Sequence, residues 1–338
     1  MLDNANQSSL PQLKSLKALL EPYSKADVNT ATRQLLVAMI FYVTGWVAMY
    51  YSLHISYFLT LLLAVPTAGF LMRIFIIFHD CGHGSFFTST KLNRRIGFWM
   101  GVLVFTPGED WWRAHSIHHA TSGNLDRRGV GDVYTMTVDE YQKLSPAGRF
   151  GYRLFRHPLV MFGLGPIWMF LIRHRWPSSQ SGRKEKMSVL WTDLALIAIA
   201  AGLSLLIGFR NYVLIQLPIL WLGGMVGIWM FYFQHQFESV YWARDKEWNF
   251  LASAFRGASC YLLPKVFQWF SGNIGFHHIH HLNPRVPNYQ LDRAYYSAEA
   301  LRQAPTFNFR QSLHCVRLAL INEKAGKLVS FRQAGQGG

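Results

Sequence analysis

Three short stretches of the chain are rich in histidine. They are HDCGH at residues 79–83, HSIHH at 115–119 and HHIHH at 277–281. On a helix, residues three and four apart share a face, so the histidines of each stretch would project together. Imidazole is the commonest metal ligand at neutral pH, and it suits iron, zinc and copper. Eight histidines have this ligand spacing: His79, His83, His115, His118, His119, His277, His280 and His281.

The number of imidazoles indicates two metal ions. Eight are twice what one tetrahedral zinc needs, so the count favours two ions with open sides. The stretches offer no evident carboxylate ligand. Two metals held by neutral imidazoles are typical of a non-haem diiron centre, which activates O₂ and abstracts hydrogen from an inert C–H bond. Cys81 could also be a ligand, but a small buried filler is the preferred interpretation.

Other side chains near the stretches are candidates for supporting roles. His278 would point about 100° away from His277 on a helix, so we expect it outside the ligand set, beside the site or at the surface. Metal-bound histidines need a partner on the second ring nitrogen, and nearby acids could supply it. Each acid could equally be a solvated surface group. The candidates are Asp80, Asp110, Asp126, Asp132, Glu238 and Asp292.

The elements that must position these histidines are apolar helices. Of the 338 residues, 51% are hydrophobic and only 15% are charged, a balance that indicates a membrane protein. A span takes roughly 17–25 residues. The sequence therefore predicts an all-α integral membrane protein of two transmembrane hairpins, with about four spans, or six if 96–106 and 158–172 also cross. The four expected spans lie near 34–52, 55–78, 190–209 and 212–233.

The net charge of +15 is explained by membrane topology. If the hairpins turn at 53–54 and 210–211, all but two of the 33 Lys and Arg lie on one side, the exceptions being Arg73 and Arg210. Positive residues accumulate on the cytoplasmic side, so we expect no nucleic-acid partner. An even number of crossings separates the first two stretches from the third. All three would therefore meet on the cytosolic face.

The rest of the chain is predicted to form one unit with this membrane core. Residues 1–33 are a cytosolic segment whose leucines predict an amphipathic helix, either on the membrane interface or packed on the cytosolic part. Residues 34–338 form a single domain, in which 79–187 and 234–338 make a cytosolic, histidine-rich cap. We expect no cleaved signal peptide, since the N-terminus lacks a basic region next to an apolar core. Three cysteines argue against a disulfide framework.

The histidine stretches, in this order and with spans between the second and third, resemble the histidine boxes of membrane fatty acid desaturases. The stretches FIIFHDCGHGSFF, HSIHHATSGNLDRRGVGD, FYFQHQFE and GNIGFHHIHHLNPRVPNY are similar to those of bacterial acyl-lipid desaturases of the Bacillus Δ5 type. The likeness covers roughly residues 30–335. One HxxHH motif is weak, whereas three at these separations are highly specific. The resemblance implies a multi-pass protein of the plasma membrane with its active site facing the cytoplasm.

The resemblance also implies a ninth ligand. The family commonly has a further histidine after the last span, and His235 matches it. Some animal members carry an asparagine four residues before this histidine, where this chain has Phe231. In this chain, either Asn273 takes the place of that asparagine or the asparagine has no equivalent. His54, His157, His174 and His314 match no box and are interpreted as structural or solvated.

The implied reaction is the O₂-dependent insertion of a cis double bond into acyl chains of membrane phospholipids. No HPGG signature of a fused cytochrome b5 is present, so the resemblance implies a separate electron donor, ferredoxin or flavodoxin. Trp111 and Trp112 could wall the substrate channel or lie in an interfacial belt. A hydroxylase or ketolase on the same scaffold is an alternative. A metal transporter is disfavoured because the spans hold almost no ionisable groups.

Overall fold

A computed structural model describes the backbone of residues 10–335 and the side chains of residues 14–335. Within this part, four helices are long and apolar enough to cross a membrane. A short helix, α1 (Leu10–Leu19), precedes them. The four are α2 (Val28–Ser52), α3 (Tyr57–His83), α8 (Arg183–Ile207) and α9 (Phe209–His235). The prediction of a helical membrane protein is confirmed.

The ends of the long helices have clear local causes. The Asp27 carboxylate accepts a hydrogen bond from the Thr30 N–H and starts α2, and the Ser56 hydroxyl caps α3 in the same way. Gly84, at a φ of 66°, ends α3 in the left-handed conformation that glycine adopts without strain. The first histidine stretch therefore lies in the last turns of a spanning helix.

The helix bounds differ from the expected spans in ways that matter for the site. α3 continues past residue 78 to His83, and α9 continues to His235, so both helices carry histidines at the same end of the bundle. The second hairpin turns at Gly208 rather than at 210–211, which places Arg210 in the first turn of α9. Arg73 is buried in α3 and packs on the ring of Trp269.

The two shorter apolar runs form different structures. Residues 96–106 belong largely to α4 (Thr90–Leu103), which packs on α3. Residues 158–172 lie in an irregular helical segment with π-helical turns, Leu159–Arg175, which meets α7 (Pro146–Phe155) at a bend of 56°. Among residues 10–335, this bent pair, taken together, is the one further candidate for a span.

Helix α3 is the centre of the spanning bundle. It packs on α2, α4 and α9, and most of its apolar stretch is buried. In contrast, α8 leaves nearly all of its apolar surface uncovered, and Leu205 is 89% exposed. Water would penalise such a surface, whereas lipid does not, so this face of the bundle is suited to acyl chains.

The cap consists of short helices and two small sheets. The remaining elements are α5 (Gly108–Thr121), β1 (Met136–Thr137), α6 (Val138–Lys143), α10 (Phe250–Arg256), β2 (Cys260–Tyr261), α11 (Lys265–Phe270), α12 (His277–Leu282), α13 (Leu291–Ser297), β3 (Thr306–Phe307), α14 (Phe309–Cys315), β4 (Leu318–Asn322), β5 (Lys327–Ser330) and α15 (Phe331–Ala334). Strand β4 pairs with β1 in parallel and with β5 in antiparallel, and β2 pairs with β3 in parallel.

Helix α1 packs on this cap. Leu16 and Leu20 are buried in the apolar core of the cap, and the Lys17 ammonium lies 5.6 Å from the centre of the Phe250 ring on α10. Leu19 remains exposed. The side chains of Leu10 and Leu13, which complete the predicted apolar face, lie outside the described residues.

Candidate metal centre

Four helices bring their histidines to one end of the bundle. α3 and α9 deliver His79, His83 and His235 from the spans, and the cap helices α5 and α12 lie across these helix ends. The described residues contain two groups whose ligand atoms lie within 4.8 Å of one another. The five-histidine group is His79, His83, His115, His119 and His280, and the four-histidine group is His118, His235, His277 and His281. Together they are the nine histidines that the sequence singles out.

Each cap helix contributes to both groups. Residues i and i+4 on a helix point about 40° apart, whereas i+3 points about 60° to the other side of i. On α5 the pair His115 and His119 joins the five-histidine group, and His118 joins the other. On α12 the pair His277 and His281 joins the four-histidine group, and His280 joins the other. The single-face expectation is therefore wrong for the second and third stretches, each of which divides between two sites, whereas His79 and His83 of the first stretch stay in one group.

The nitrogen distances fit metal coordination. Imidazole nitrogens bind metals of this kind at about 2.1 Å, so two of them at right angles around one ion lie about 3.0 Å apart. The Nε2 atoms of His119 and His280 are 2.9 Å apart, and those of His235 and His277 are also 2.9 Å apart. The buried Nε2 of His83 has no hydrogen-bond partner among the described residues. A cation in each group would satisfy these converging nitrogens.

The imidazoles are held in the form that binds metal. Burial lowers the pKa of each histidine on the two cap helices well below its usual value. Neighbouring imidazoles lower the pKa further, since two cations would repel each other at this distance. Neutral imidazole has a lone pair for a metal ion.

Two of the converging histidines have a protein partner on the second ring nitrogen. The Asp80 carboxylate lies 2.9 Å from His79 Nδ1, and the Gly257 carbonyl lies 2.9 Å from His235 Nδ1. Both partners accept a hydrogen bond from Nδ1–H, which leaves Nε2 free to face the group. For His235, burial among the other imidazoles of the four-histidine group argues against a cationic helix-end anchor.

The other five acids proposed as histidine partners are engaged elsewhere. Asp110 accepts from the Ser181 hydroxyl, Asp126 pairs with Arg244, and Glu238 pairs with Lys327. Asp132 accepts from the Gly129 N–H, and Asp292 from the Arg293 N–H. Sequence proximity therefore identified one partner, Asp80, whereas the other five acids have partners other than a histidine.

The remaining histidines and the cysteines lie outside both groups. His278 is fully buried, with its Nε2 3.0 Å from the Leu301 carbonyl. His174 is also buried, which fits the structural alternative of its interpretation, because the 159–175 segment packs against the bundle. His54, His157 and His314 are exposed. All three cysteines are free and buried, and Cys81 fills space between helices.

The tryptophans before the second stretch pack inside the protein. Trp111 stacks on His115, with ring centres 4.5 Å apart. The Trp112 indole N–H donates to the Phe78 carbonyl, and a Cβ on Gly82 would collide with its ring. Both tryptophans are half-buried, and Trp111 lies against the five-histidine group.

The four-histidine group borders a small, open pocket. Phe231 lines it and lies 5.1 Å from the ring of His118, so an apolar ring occupies the position of the family's asparagine. The Asn273 amide donates instead to the Asn288 carbonyl. The structure therefore does not bring Asn273 into the ligand set.

Comparison with known proteins agrees with this geometry. The family model described as fatty acid desaturase matches residues 55–311. A fatty acid desaturase of Bacillus subtilis is 44% identical over 94% of this chain and 91% of its own length. An sn-1 acyl-lipid omega-3 desaturase (ferredoxin) of Synechocystis is 28% identical over 65% of this chain and 62% of its own. A probable fatty acid desaturase of Sorghum bicolor is 29% identical over 65% of this chain and 58% of its own.

The fold and the site define a helical membrane enzyme with two polyhistidine groups that could hold metal. The chain belongs to the fatty acid desaturase family and is a fatty acid desaturase.

Proposed function

We propose that the nine histidines hold two iron ions, one in each group, and that the enzyme inserts a cis double bond into acyl chains of membrane phospholipids. The observation that carries the proposal is the convergence of nine buried imidazoles in two groups at the end of an apolar bundle. When bound, the iron supplies the activation of O₂. Two hydrogens from the chain, two electrons and two protons then convert O₂ to two waters.

The residues of this chain prepare the site for that chemistry. Asp80 and the Gly257 carbonyl orient His79 and His235, so that their Nε2 atoms face the two groups. Burial keeps bulk water from the histidines and favours their neutral form. Trp111 and Phe231 give the site apolar walls, which suits an uncharged hydrocarbon substrate.

The substrate is proposed to be an intact membrane lipid rather than an acyl group on coenzyme A or a carrier protein. The histidine groups lie at the ends of spanning helices, where an acyl chain arrives from the bilayer. The Synechocystis relative is described as acting on acyl lipids. The Δ5 position rests on family likeness alone, since the channel length that sets it does not follow from the histidine geometry.

The site is proposed to face the cytoplasm at the plasma membrane. The histidine-bearing ends of the helices lie on the same side as the basic loops, and positive residues favour the cytoplasmic side. Cysteine substitution at His54, in the exposed turn between α2 and α3, tests this orientation. A membrane-impermeant thiol reagent should label that cysteine from outside intact cells. Labelling only after lysis would reverse the topology.

The electron donor is proposed to be a ferredoxin or a flavodoxin. Relatives from Synechocystis and Arabidopsis thaliana carry ferredoxin in their descriptions. A protein of net charge +15 attracts acidic partners, and electrostatic attraction raises the association rate. Turnover with each reduced carrier should weaken as salt rises. Turnover supported by neither carrier would exclude this donor class.

Lipid analysis is the central experiment. The chain is expressed in a host that lacks the double bond, and lipids are examined by gas chromatography–mass spectrometry with and without O₂. A new double bond formed only with O₂, and absent in His118→Ala, supports desaturation. An oxygenated chain would instead indicate a hydroxylase or ketolase. Feeding labelled phospholipid or acyl-coenzyme A to membranes identifies the carrier, and metal analysis of purified protein should give about two irons per chain.

A further inference from the structure

We infer that Gln34 and Asn288 are positioning residues for His79, acting through Asp80. The inference rests on the proposed metal site and adds to it two amides that match no metal-ligand pattern. Gln34 lies near the start of the first spanning helix, α2, and Asn288 follows the third histidine stretch. Neither is a ligand candidate. Their role is to fix the carboxylate that orients the first histidine.

These residues are connected by a continuous series of buried hydrogen bonds from His79 to Gln34. His79 Nδ1 lies 2.9 Å from Asp80 Oδ1. The other carboxylate oxygen, Oδ2, accepts from the Asn288 backbone N–H at 2.7 Å and from its Nδ2–H at 2.8 Å. The Asn288 amide in turn pairs with Gln34 in both directions, at 2.7 and 3.1 Å. All four side chains are buried, so water does not compete for these bonds.

The reciprocal hydrogen bonds between the Gln34 and Asn288 amides determine the orientation of the Asn288 amide. The Gln34 N–H₂ group donates to Asn288 Oδ1, and Gln34 Oε1 accepts from Asn288 Nδ2. This arrangement turns the Nδ2 group of Asn288 toward Asp80. Without Gln34, the amide of Asn288 could rotate and place its oxygen against the carboxylate, where two acceptors repel each other. Gln34 therefore controls which end of Asn288 faces Asp80.

A second set of hydrogen bonds holds the loop that contains Asn288 in place. The hydroxyl of Tyr289 accepts from the Asp27 N–H at 3.0 Å and donates to the Phe86 carbonyl at 3.1 Å. The loop after α12 is thus fastened to the start of α2 and to the turn after α3. The first span gives no histidine to either group, yet through Gln34 it contacts the carboxylate partner of one.

The effect is expected in the five-histidine group only. Loss of a hydrogen-bonding partner behind a metal-bound histidine typically weakens metal binding 10–100-fold. Asn288→Ala removes the side-chain bond to Asp80 but keeps the backbone N–H bond, so its effect should lie near the lower end of this range, about 10-fold. Gln34→Leu frees the amide of Asn288 without removing it, so its effect should be smaller and in the same direction. The four-histidine group contacts neither residue and should keep its affinity.

The matched control is Gln216→Leu. Gln216 is a glutamine on a spanning helix, α9, with the same 8% exposure as Gln34. It accepts a hydrogen bond from the Trp46 indole N–H at 3.1 Å and contacts no residue of either histidine group. Its replacement costs a buried amide in the bundle without touching the chain to His79. Any general loss of stability should therefore appear in both glutamine variants.

Cobalt(II) is the probe, since its absorption reports ligand geometry whichever metal is native. Metal-free protein of each variant is titrated with Co²⁺, and thermal unfolding is recorded in parallel. Asn288→Ala and Gln34→Leu should weaken one of two binding steps and alter its absorption band, while Gln216→Leu leaves both steps unchanged. Equal affinities in all four proteins, or equal weakening in all three variants, would overturn the positioning role. Absence of iron from the isolated unmutated protein would instead overturn the proposed function, because the cobalt comparison does not depend on it.

Discussion

Replacing His235 by Gln should remove one metal ion and leave the other. His235 Nε2 lies 2.9 Å from the Nε2 of His277 and 3.2 Å from that of His118, so it contributes one of the four nitrogens in its group. Loss of a direct ligand should cost at least as much as loss of a supporting contact, which reaches about 100-fold, or about 2.7 kcal/mol. The five-histidine group is untouched, so iron should fall from about two to about one per chain, together with activity.

His278→Gln provides the control. His278 lies on the cap helix α12, is also buried, and bonds a backbone carbonyl, as His235 does. Each substitution therefore disturbs one histidine–carbonyl hydrogen bond, a cost of about 1 kcal/mol. Iron is measured by plasma emission on purified protein, and desaturation by product analysis. If His235→Gln loses activity but retains two irons, His235 is structural. If neither value changes, the ninth ligand is elsewhere.

Three further predictions address the other ligands, the cap and the thiols. Alanine at any of the eight histidines with ligand spacing should abolish desaturation in membranes that still contain the protein, whereas His54→Ala and His314→Ala should not; near-normal product removes a residue from the ligand set. Arg156→Met should lower the free energy of unfolding by about 3 kcal/mol, because the buried Arg156 guanidinium forms hydrogen bonds with five acceptors. Arg149 is exposed, so Arg149→Met should change the free energy of unfolding by less than about 0.5 kcal/mol. Equal melting temperatures of the two variants in detergent would contradict this prediction. Burial raises the pKa of Cys260 to about 12 and that of Cys315 to about 11, so iodoacetamide at about pH 8 should label neither before unfolding, as judged by mass spectrometry of the digested protein.

Local patterns in the sequence were sufficient to predict the four spans and eight of the converging histidines. Apolar runs of spanning length and helical histidine spacing both depend on residues a few positions apart. Asp80 could be found as a partner of His79 for the same reason, since the two are adjacent. His235 required family likeness, because a lone histidine after a span has no pattern of its own.

Features that depend on packing between distant segments could not be predicted. The division of His115 and His119 from His118 depends on how α5 lies against α12, and helical spacing alone does not define that placement. The contact between Gln34 and Asn288 joins residues 254 positions apart. Burial of His174 and formation of the two small sheets likewise depend on contacts between segments that are far apart in the sequence.

The division of α12 between the two groups has a consequence for biosynthesis. Each group needs a histidine from α12, so neither is complete until the ribosome has made residue 281. By then the first two spans would be in the membrane, and His79 and His83 would lie at the end of α3 without the histidine from α12 that completes their group. With one ion proposed for each group, metal insertion is therefore expected to be a late, joint step that follows translation of all four spanning helices. A chain truncated before α12 would lose both ions rather than one.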